Sequence, residues 1–509
     1  MIGKDKKKKF SSSVNVAILT FFSRVFGYLR DLTITFFFGA NTLTDSFYVA
    51  FRIPNLFRRL LAEGTLSSTL VPFFTKYVDT KDENSFKKFR SEVFSILVLV
   101  LIFFTLLFFF FSKEIISLFA FGFSEDQLEL SSNLLKRMSP FLFFISLSAL
   151  NMGLLNSKGK FFAPAFSPVM FNLAIILTLF TCYFFLELTI YSLSYAVLLG
   201  AIAQFLIQLP FISQNHLNYK FSLKTFLSEE AKAVIKVLIP QVVGLGVYNL
   251  NILINTQFAS FMENGSVTYL YLAERLLELP LGVFAVSIAT ISLTQLSEFS
   301  NNKNLMKMTK YLNDRMAFLY FLLCPCCIVF LFWGDSICDL LYVRGEFTLS
   351  DSYFTYKALI AYSVGLIFVG GVRLLTQAFF AIKDTATPVK LAMINLILNA
   401  LLCYFFSIIL NFGFIGLALS SSISSIVLFF SLTYSLRKNK INLKFNLLIK
   451  FLVFIFFSFI ALLISNYIIE TLIFKNSIVT LFLKFICFAA FYFLFSYLTK
   501  MKELKLIKE

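Results

Sequence analysis

The chain is 509 residues long but holds one histidine, one tryptophan and ten prolines, and only 14% of it is charged. An ordinary soluble domain carries roughly 25% charged residues. So low a charge content excludes a soluble enzyme, a disordered chain and a fibrous protein. With His216 the sole imidazole, histidine-based acid–base chemistry has no basis. P-loop, GxGxxG, HExxH and GxSxG patterns are missing from any suitable context. That excludes an ATPase motor and argues against hydrolysis, so no enzyme and no cofactor is expected.

Cysteine is sparse too: positions 182, 324, 326, 327, 338, 403 and 487. Cys324, Cys326 and Cys327 form a CxCC cluster. A zinc site needs four suitably spaced ligands, and neither a second cysteine pair nor a nearby histidine supplies them. No metal is expected.

What the chain does have is apolar bulk. Hydrophobic residues make up 58% of it, 70 of them phenylalanine, and the mean hydropathy is +0.82. A bilayer-spanning helix takes about 20 such residues. The apolar residues come in long blocks rather than alternating, which disfavours an outer-membrane barrel. The phenylalanine excess fits a codon bias at lipid-facing positions and carries no functional signal. The basic excess, net charge +17, would suggest nucleic acid in a soluble protein. In a polytopic membrane protein it reads as basic cytoplasmic loops, and no nucleic-acid partner is expected.

The blocks predict fourteen helical spans, near 14–38, 45–74, 91–112, 132–155, 164–186, 190–213, 233–261, 267–296, 311–333, 352–381, 388–410, 413–436, 447–469 and 476–498. The second is broken by Pro54 and Gly64 and has room to continue as a second short helix. The first lacks a clean short core and a cleavage site, so it is expected to be retained. Placing the N-terminus inside puts Lys4, Lys6–Lys9, the lysines and arginine of 76–90, Lys158, Lys160 and the later basic clusters on the cytoplasmic face. The outside loops then hold only Lys113, Arg344 and Lys475. This positive-inside bias predicts both termini in the cytoplasm. Residues 214–232 form a cytoplasmic linker with the character of a short surface helix.

Most spans are free of charge near their centres, but the first two and the eighth are not. The first carries Arg24, Arg30 and Asp31; the second Asp45, Arg52, Arg58, Arg59 and Glu63; the eighth Glu274, Arg275 and Glu278. A central charge costs roughly 2.5–3.5 kcal/mol by insertion scales, so these groups face protein or water. Positions seven apart on a helix differ by only about 20°. Arg24 and Asp31 therefore share a face, as do Asp45, Arg52 and Arg59. Two readings remain open for the second span: its charges line a hydrated cavity, or they lie at the cytoplasmic rim and pair there. Arginine outnumbers acid, and its planar fork suits phosphate. The expected ligand is an amphiphile with a phosphate-bearing headgroup.

Residue strings now carry a resemblance. Ser23-Arg24-Val25-Phe26-Gly27-Tyr28-Leu29-Arg30-Asp31, Thr44-Asp45-Ser46-Phe47 and Pro54-Asn55-Leu56-Phe57-Arg58-Arg59-Leu60-Leu61-Ala62-Glu63-Gly64 open it. Ala273-Glu274-Arg275-Leu276, Glu278-Leu279-Pro280-Leu281-Gly282-Val283, Arg344-Gly345-Glu346-Phe347-Thr348 and Asp384-Thr385-Ala386-Thr387 extend it. The sequence resembles the MurJ (MviN) family of lipid II flippases, within the superfamily of multidrug and polysaccharide-lipid exporters. The resemblance implies an all-α polytopic protein of about 14 transmembrane helices, with two six-helix lobes around a central cationic cavity plus two C-terminal helices. In this chain that means an N-terminal lobe over 1–213, the linker 214–232, a C-terminal lobe over 233–440, and two further helices and a tail over 441–509. It implies flipping of undecaprenyl-diphosphate-linked peptidoglycan precursor across the bacterial cytoplasmic (inner) membrane for cell-wall synthesis. It places the headgroup on Arg24, Arg30, Asp31 and Arg275, with Ser23, Asp45, Arg52, Arg58, Arg59 and Glu63 as further cavity or rim candidates.

Lipid II and membrane lipids are thus the expected partners, with coupling by membrane potential or a monovalent cation. Asn251 and Asn255 stand where some members carry an acid at a sodium site, which favours the potential. The competing readings are a polysaccharide-lipid flippase or multidrug exporter of the same superfamily, and a polyprenyl-dependent glycosyltransferase. Short outside loops argue against the last.

Overall fold

The computed structural model describes residues 2–61, 65–80, 82–222, 228–471 and 477–507. Among them the chain is helical, with one isolated bridge between Arg344 and Phe347. The helices are α1 Ile2–Phe38, α2 Thr42–Leu61, α3 Thr65–Thr80, α4 Glu83–Phe110, α5 Ser112–Phe119, α6 Glu125–Met138, α7 Phe141–Ser157, α8 Phe162–Phe185, α9 Ile190–Leu206, α10 Leu209–Gln214 and α11 Glu229–Ala259. They continue as α12 Ser266–Pro280, α13 Val286–Asn301, α14 Leu305–Tyr342, α15 Leu349–Ala381, α16 Ala386–Cys403, α17 Gly413–Lys438, α18 Asn446–Thr471 and α19 Ser477–Leu498. Two π turns, Leu281–Ala285 and Tyr404–Ile409, extend α12 and α16, and a short 3₁₀ turn, Lys502–Ile507, follows α19.

Eleven helical stretches among the described residues are long and apolar enough to cross a membrane. They coincide with the third to sixth and the eighth to fourteenth expected spans. The other three expected spans fall on α1, on α2 with α3, and on α11. Four charges in 20 residues, Asp45, Arg52, Arg58 and Arg59, keep α2 out of a simple apolar class. The rest of that span falls on α3; Pro54 lies inside α2 and does not break it, and Gly64 lies outside the described residues.

Two compact units divide the chain: residues 1–265 with 344–347, and the remainder. In the first, α1 packs on α8, α8 on α9, and α7 on α3, α4 and α9, while α11 packs on α2, α3, α4 and α5. Small residues permit the close approaches. A Cβ on Gly200 of α9 would stand 2.9 Å from the Phe171 carbonyl oxygen of α8. In the second, α15 is the central helix, against α12, α13, α14 and α17. Gly365 lets it approach Ser422 of α17, whose hydroxyl donates to the Ala361 carbonyl at 2.7 Å. The hairpin of α18 and α19 is tied to α14 by Trp333 Nε1 donating to Asn466 Oδ1 at 3.0 Å and by the Tyr492 hydroxyl donating to the Phe321 carbonyl at 2.7 Å.

The linker departs from expectation. Of its described residues, 215–222 form a turn and an irregular strip laid along α4, while 229–232 are already the first turn of α11. The N–H groups of 215–217 bond back to α10, and four later backbone groups bond to side chains of α4. Buried Arg90 donates to the carbonyls of His216 and Asn218, both at 2.9 Å. The hydroxyls of Ser91 and Ser95 accept the N–H groups of Lys220 and Ser222. Glu92, also buried, accepts from both the N–H and the hydroxyl of Ser228, the N-cap of α11. Arg90→Ala therefore strands the carbonyls of His216 and Asn218, a loss of about 1–3 kcal/mol. Faster hydrogen exchange over 216–222 is the expected result, and unchanged exchange would contradict it.

Candidate functional site

Polar residues on otherwise apolar helices define the candidate site, because each must be matched by a partner or by water. On α1, Arg30 and Asp31 are both buried and form an ion pair, with Nη2 at 2.6 Å and Nε at 3.0 Å from Asp31 Oδ1. Adjacent helical residues point about 100° apart, so this contact exists because the long arginine side chain folds back along the helix. Arg30 also donates through Nη1 to Asn172 Oδ1 of α8 at 3.2 Å. The amide of Asn172 in turn donates to the carbonyls of Ser23 and Pro168. The structure thus gathers Ser23, Arg30, Asp31 and Asn172 into one network that ties α1 to α8. Arg24, one turn and a half before Arg30, is exposed.

On α2 the expected residues do different things. Asp45 and Arg52 are buried at 3% and 9% exposure and point to α11 and its exit turn. Asp45 accepts the Gly265 N–H at 2.7 Å, and Arg52 donates to the Thr256 hydroxyl. Arg58 bonds one turn back to Asn55 at 2.8 Å. The side chain of Arg59, and Glu63 altogether, lie outside the described residues. In the second unit Arg275 pairs with Glu278 at 2.9 Å and lies over the Tyr271 ring, 5.6 Å from its centroid. Both partners are part-exposed, so this pair adds little stability.

Two resemblance strings acquire structural explanations. Arg344-Gly345-Glu346-Phe347 is a tight turn that docks on the end of α1. The Glu346 N–H donates to the Phe36 carbonyl at 3.0 Å, and Gly345 and Gly39 both have positive φ, 59° and 62°. Asp384 accepts the Thr387 N–H at 3.0 Å in the first turn of α16. That backbone bond holds its carboxyl below the usual range, as expected for an acid at a helix start.

Sequence reasoning assigned no role to Asn172, Thr256 or Gly265. Asn172 left a readable signal, a lone amide in an apolar helix. Thr256 left none: its hydroxyl also donates to the Ile252 carbonyl at 2.7 Å, which any helical threonine can do.

Comparison with known proteins covers the same ground. The family model described as lipid II flippase MurJ matches residues 34–489. A probable lipid II flippase MurJ of Buchnera aphidicola subsp. Baizongia pistaciae is 33% identical over 93% of this chain and 92% of its own length. One from Vibrio cholerae is 32% identical over 82% and 81%. A solved lipid II flippase MurJ in an inward closed conformation superimposes with a TM-score of 0.79 at 29% identity, covering 95% of this chain and 99% of that one. An inward-facing MATE transporter gives 0.69 at 12% identity, a likeness of fold alone.

Proposed function

Because the chain belongs to the MurJ family of lipid II flippases, we infer that it moves lipid II, the undecaprenyl-diphosphate-linked peptidoglycan precursor, across the bacterial inner membrane. The match over residues 34–489 carries this reading. The arginines set into apolar helices agree with it, since a diphosphate needs cations where water is scarce.

The proposal has finer parts. Fourteen spans with both termini in the cytoplasm follow from the loop charges. Lobes over 1–213 and 233–440, with the helices over 441–509 appended, alternate access to a cationic cavity. Arg24, Arg30 and Arg275 bind the diphosphate, and Asp31 orients Arg30. With no nucleotide motif, the driving force is the membrane potential or a monovalent cation. A charge crossing the field is worth about 2.3 kcal/mol per 100 mV, enough to bias the return of a cationic cavity.

Arg275 supplies the test. Its pair with Glu278 is half in solvent, so Arg275→Lys should keep the protein's stability within about 1 kcal/mol. A lysine cannot reproduce a two-pronged phosphate contact. Flipping of purified lipid II in liposomes should therefore fall at least about tenfold, or about 1.4 kcal/mol. Wild-type flipping by Arg275→Lys would remove this residue from the headgroup site. Failure of the wild-type protein to flip lipid II, while another polyprenyl lipid crosses, would overturn the function.

A further inference from the structure

Three contacts hold the C-terminal end of α11 in the first unit. Arg52 of α2 donates to the Thr256 hydroxyl. In the turn after α5, the Gly122 N–H donates to Ser260 Oγ at 2.9 Å. Asp45 accepts the N–H of Gly265, the residue just before α12. Arg52 and Asp45 are seven residues apart on α2, and Thr256 and Ser260 four apart on α11, so each pair shares a helix face. Going from Asp45 to Arg52 descends α2, while going from Gly265 to Thr256 runs back into α11. The contacts therefore form an antiparallel register and not a chance crossing.

The chemistry at Thr256 is specific. Its hydroxyl hydrogen is committed to the Ile252 carbonyl at 2.7 Å, which turns its lone pairs outward as acceptors for the guanidinium. Gly122 shows how close the approach is. A Cβ there would stand 2.6 Å from the carbonyl carbon and oxygen of Ser260 and from the Phe261 nitrogen, all backbone atoms that cannot swing aside.

We propose that Arg52 is a positioning residue, which clamps the end of α11 to α2 and takes no part in binding the lipid's diphosphate. This assignment rests on the lipid II reading above and gives one cationic candidate a different task. The clamp fixes the C-terminal turn of α11 against α2. Arg52 is 9% exposed, and its Nη1 is already engaged by a neutral hydroxyl.

The test uses the full chain in liposomes with lipid II, and four variants: Arg52→Lys, Arg52→Gln, Thr256→Val and the double Arg52→Gln/Thr256→Val. One donor suffices for a clamp if it reaches, so Arg52→Lys retains at least about half of the flipping rate, whereas Arg52→Gln, whose amide nitrogen ends two bonds short of Nη1, and Thr256→Val each lose about five- to tenfold. The double variant is no worse than the poorer single one, as for two ends of one contact. The lipid concentration for half-maximal rate stays at the wild-type value in all four. A second readout needs no transport. Phe261→Cys, at an exposed position beside the clamp, is placed in a cysteine-free background. Its thiol should react faster with a soluble reagent in Arg52→Gln and Thr256→Val alike, and in Gly122→Ala.

Wild-type behaviour of Thr256→Val, together with a raised half-maximal concentration in Arg52→Lys, would overturn the clamp and make Arg52 a headgroup ligand. If the wild-type protein flips no lipid II, the functional reading fails by itself. The thiol rates then still decide the clamp: equal rates in all variants would refute it.

Discussion

Asp31→Ala should unfold at a markedly lower temperature than the wild-type protein in detergent and should lose lipid II flipping. The cause is the buried pair with Arg30, whose side chains are 8% and 1% exposed. Removing one member of such a buried pair leaves the other charge poorly compensated and costs about 3–5 kcal/mol. Asn172 keeps its contact with Arg30 but, being neutral, cannot replace the carboxylate. The double variant Arg30→Gln/Asp31→Asn removes both charges, keeps the shape at 31 and shortens the side chain at 30. It should recover most of the stability, because neutralising a buried pair together is often nearly neutral, yet it should not recover flipping. That split separates the packing role of the pair from the cationic role of Arg30. Unchanged thermal unfolding of Asp31→Ala would show that the pair does not hold α1 in place.

The second large effect is expected at Gly345. Its φ of +59° lies in the left-handed region, and a Cβ would stand 2.1 Å from the Phe36 carbonyl oxygen. A left-handed conformation costs a non-glycine residue roughly 1–2 kcal/mol. Here the obstacle is also backbone, so the turn must leave α1 and the Glu346–Phe36 hydrogen bond goes with it, about 1 kcal/mol more. Gly159 provides the comparison, with φ of +69° and nothing within 4 Å of its Cβ position. Gly345→Ala should therefore destabilise clearly more than Gly159→Ala in the same unfolding measurement, and should expose the Glu346 amide to hydrogen exchange. Equal losses would mean that the docked turn contributes nothing beyond its own conformation.

These residues also show how far the sequence could be read. The apolar blocks located eleven helices because lipid-length segments announce themselves by composition alone. The charged strings on α1, α2 and α12 announced themselves by contrast with their surroundings. What could not be read is which group each charge meets. Arg30 bonds its own neighbour, a contact that helical spacing argues against, and only the reach of the side chain decides it. Arg52 meets a threonine 204 positions away, and no local pattern reports such a pairing. The linker misled for a related reason: polar residues between helices suit a surface helix until a neighbouring helix offers better partners for their backbone.

The π turn after Pro280 has a consequence for the angular position of Arg275. Leu281–Ala285 takes in one residue more than an α turn would hold. Every side chain before it, Tyr271, Arg275 and Glu278 included, is thereby rotated by about 100° relative to Ser292 and the rest of α13, compared with an unbroken helix. The facing of the arginine is thus encoded in the count of residues between Pro280 and α13. Removing one residue there would relax the turn to ordinary α geometry at little cost in fold. It would also swing Arg275 a quarter-turn and more away from its present face, with no change to any charged residue.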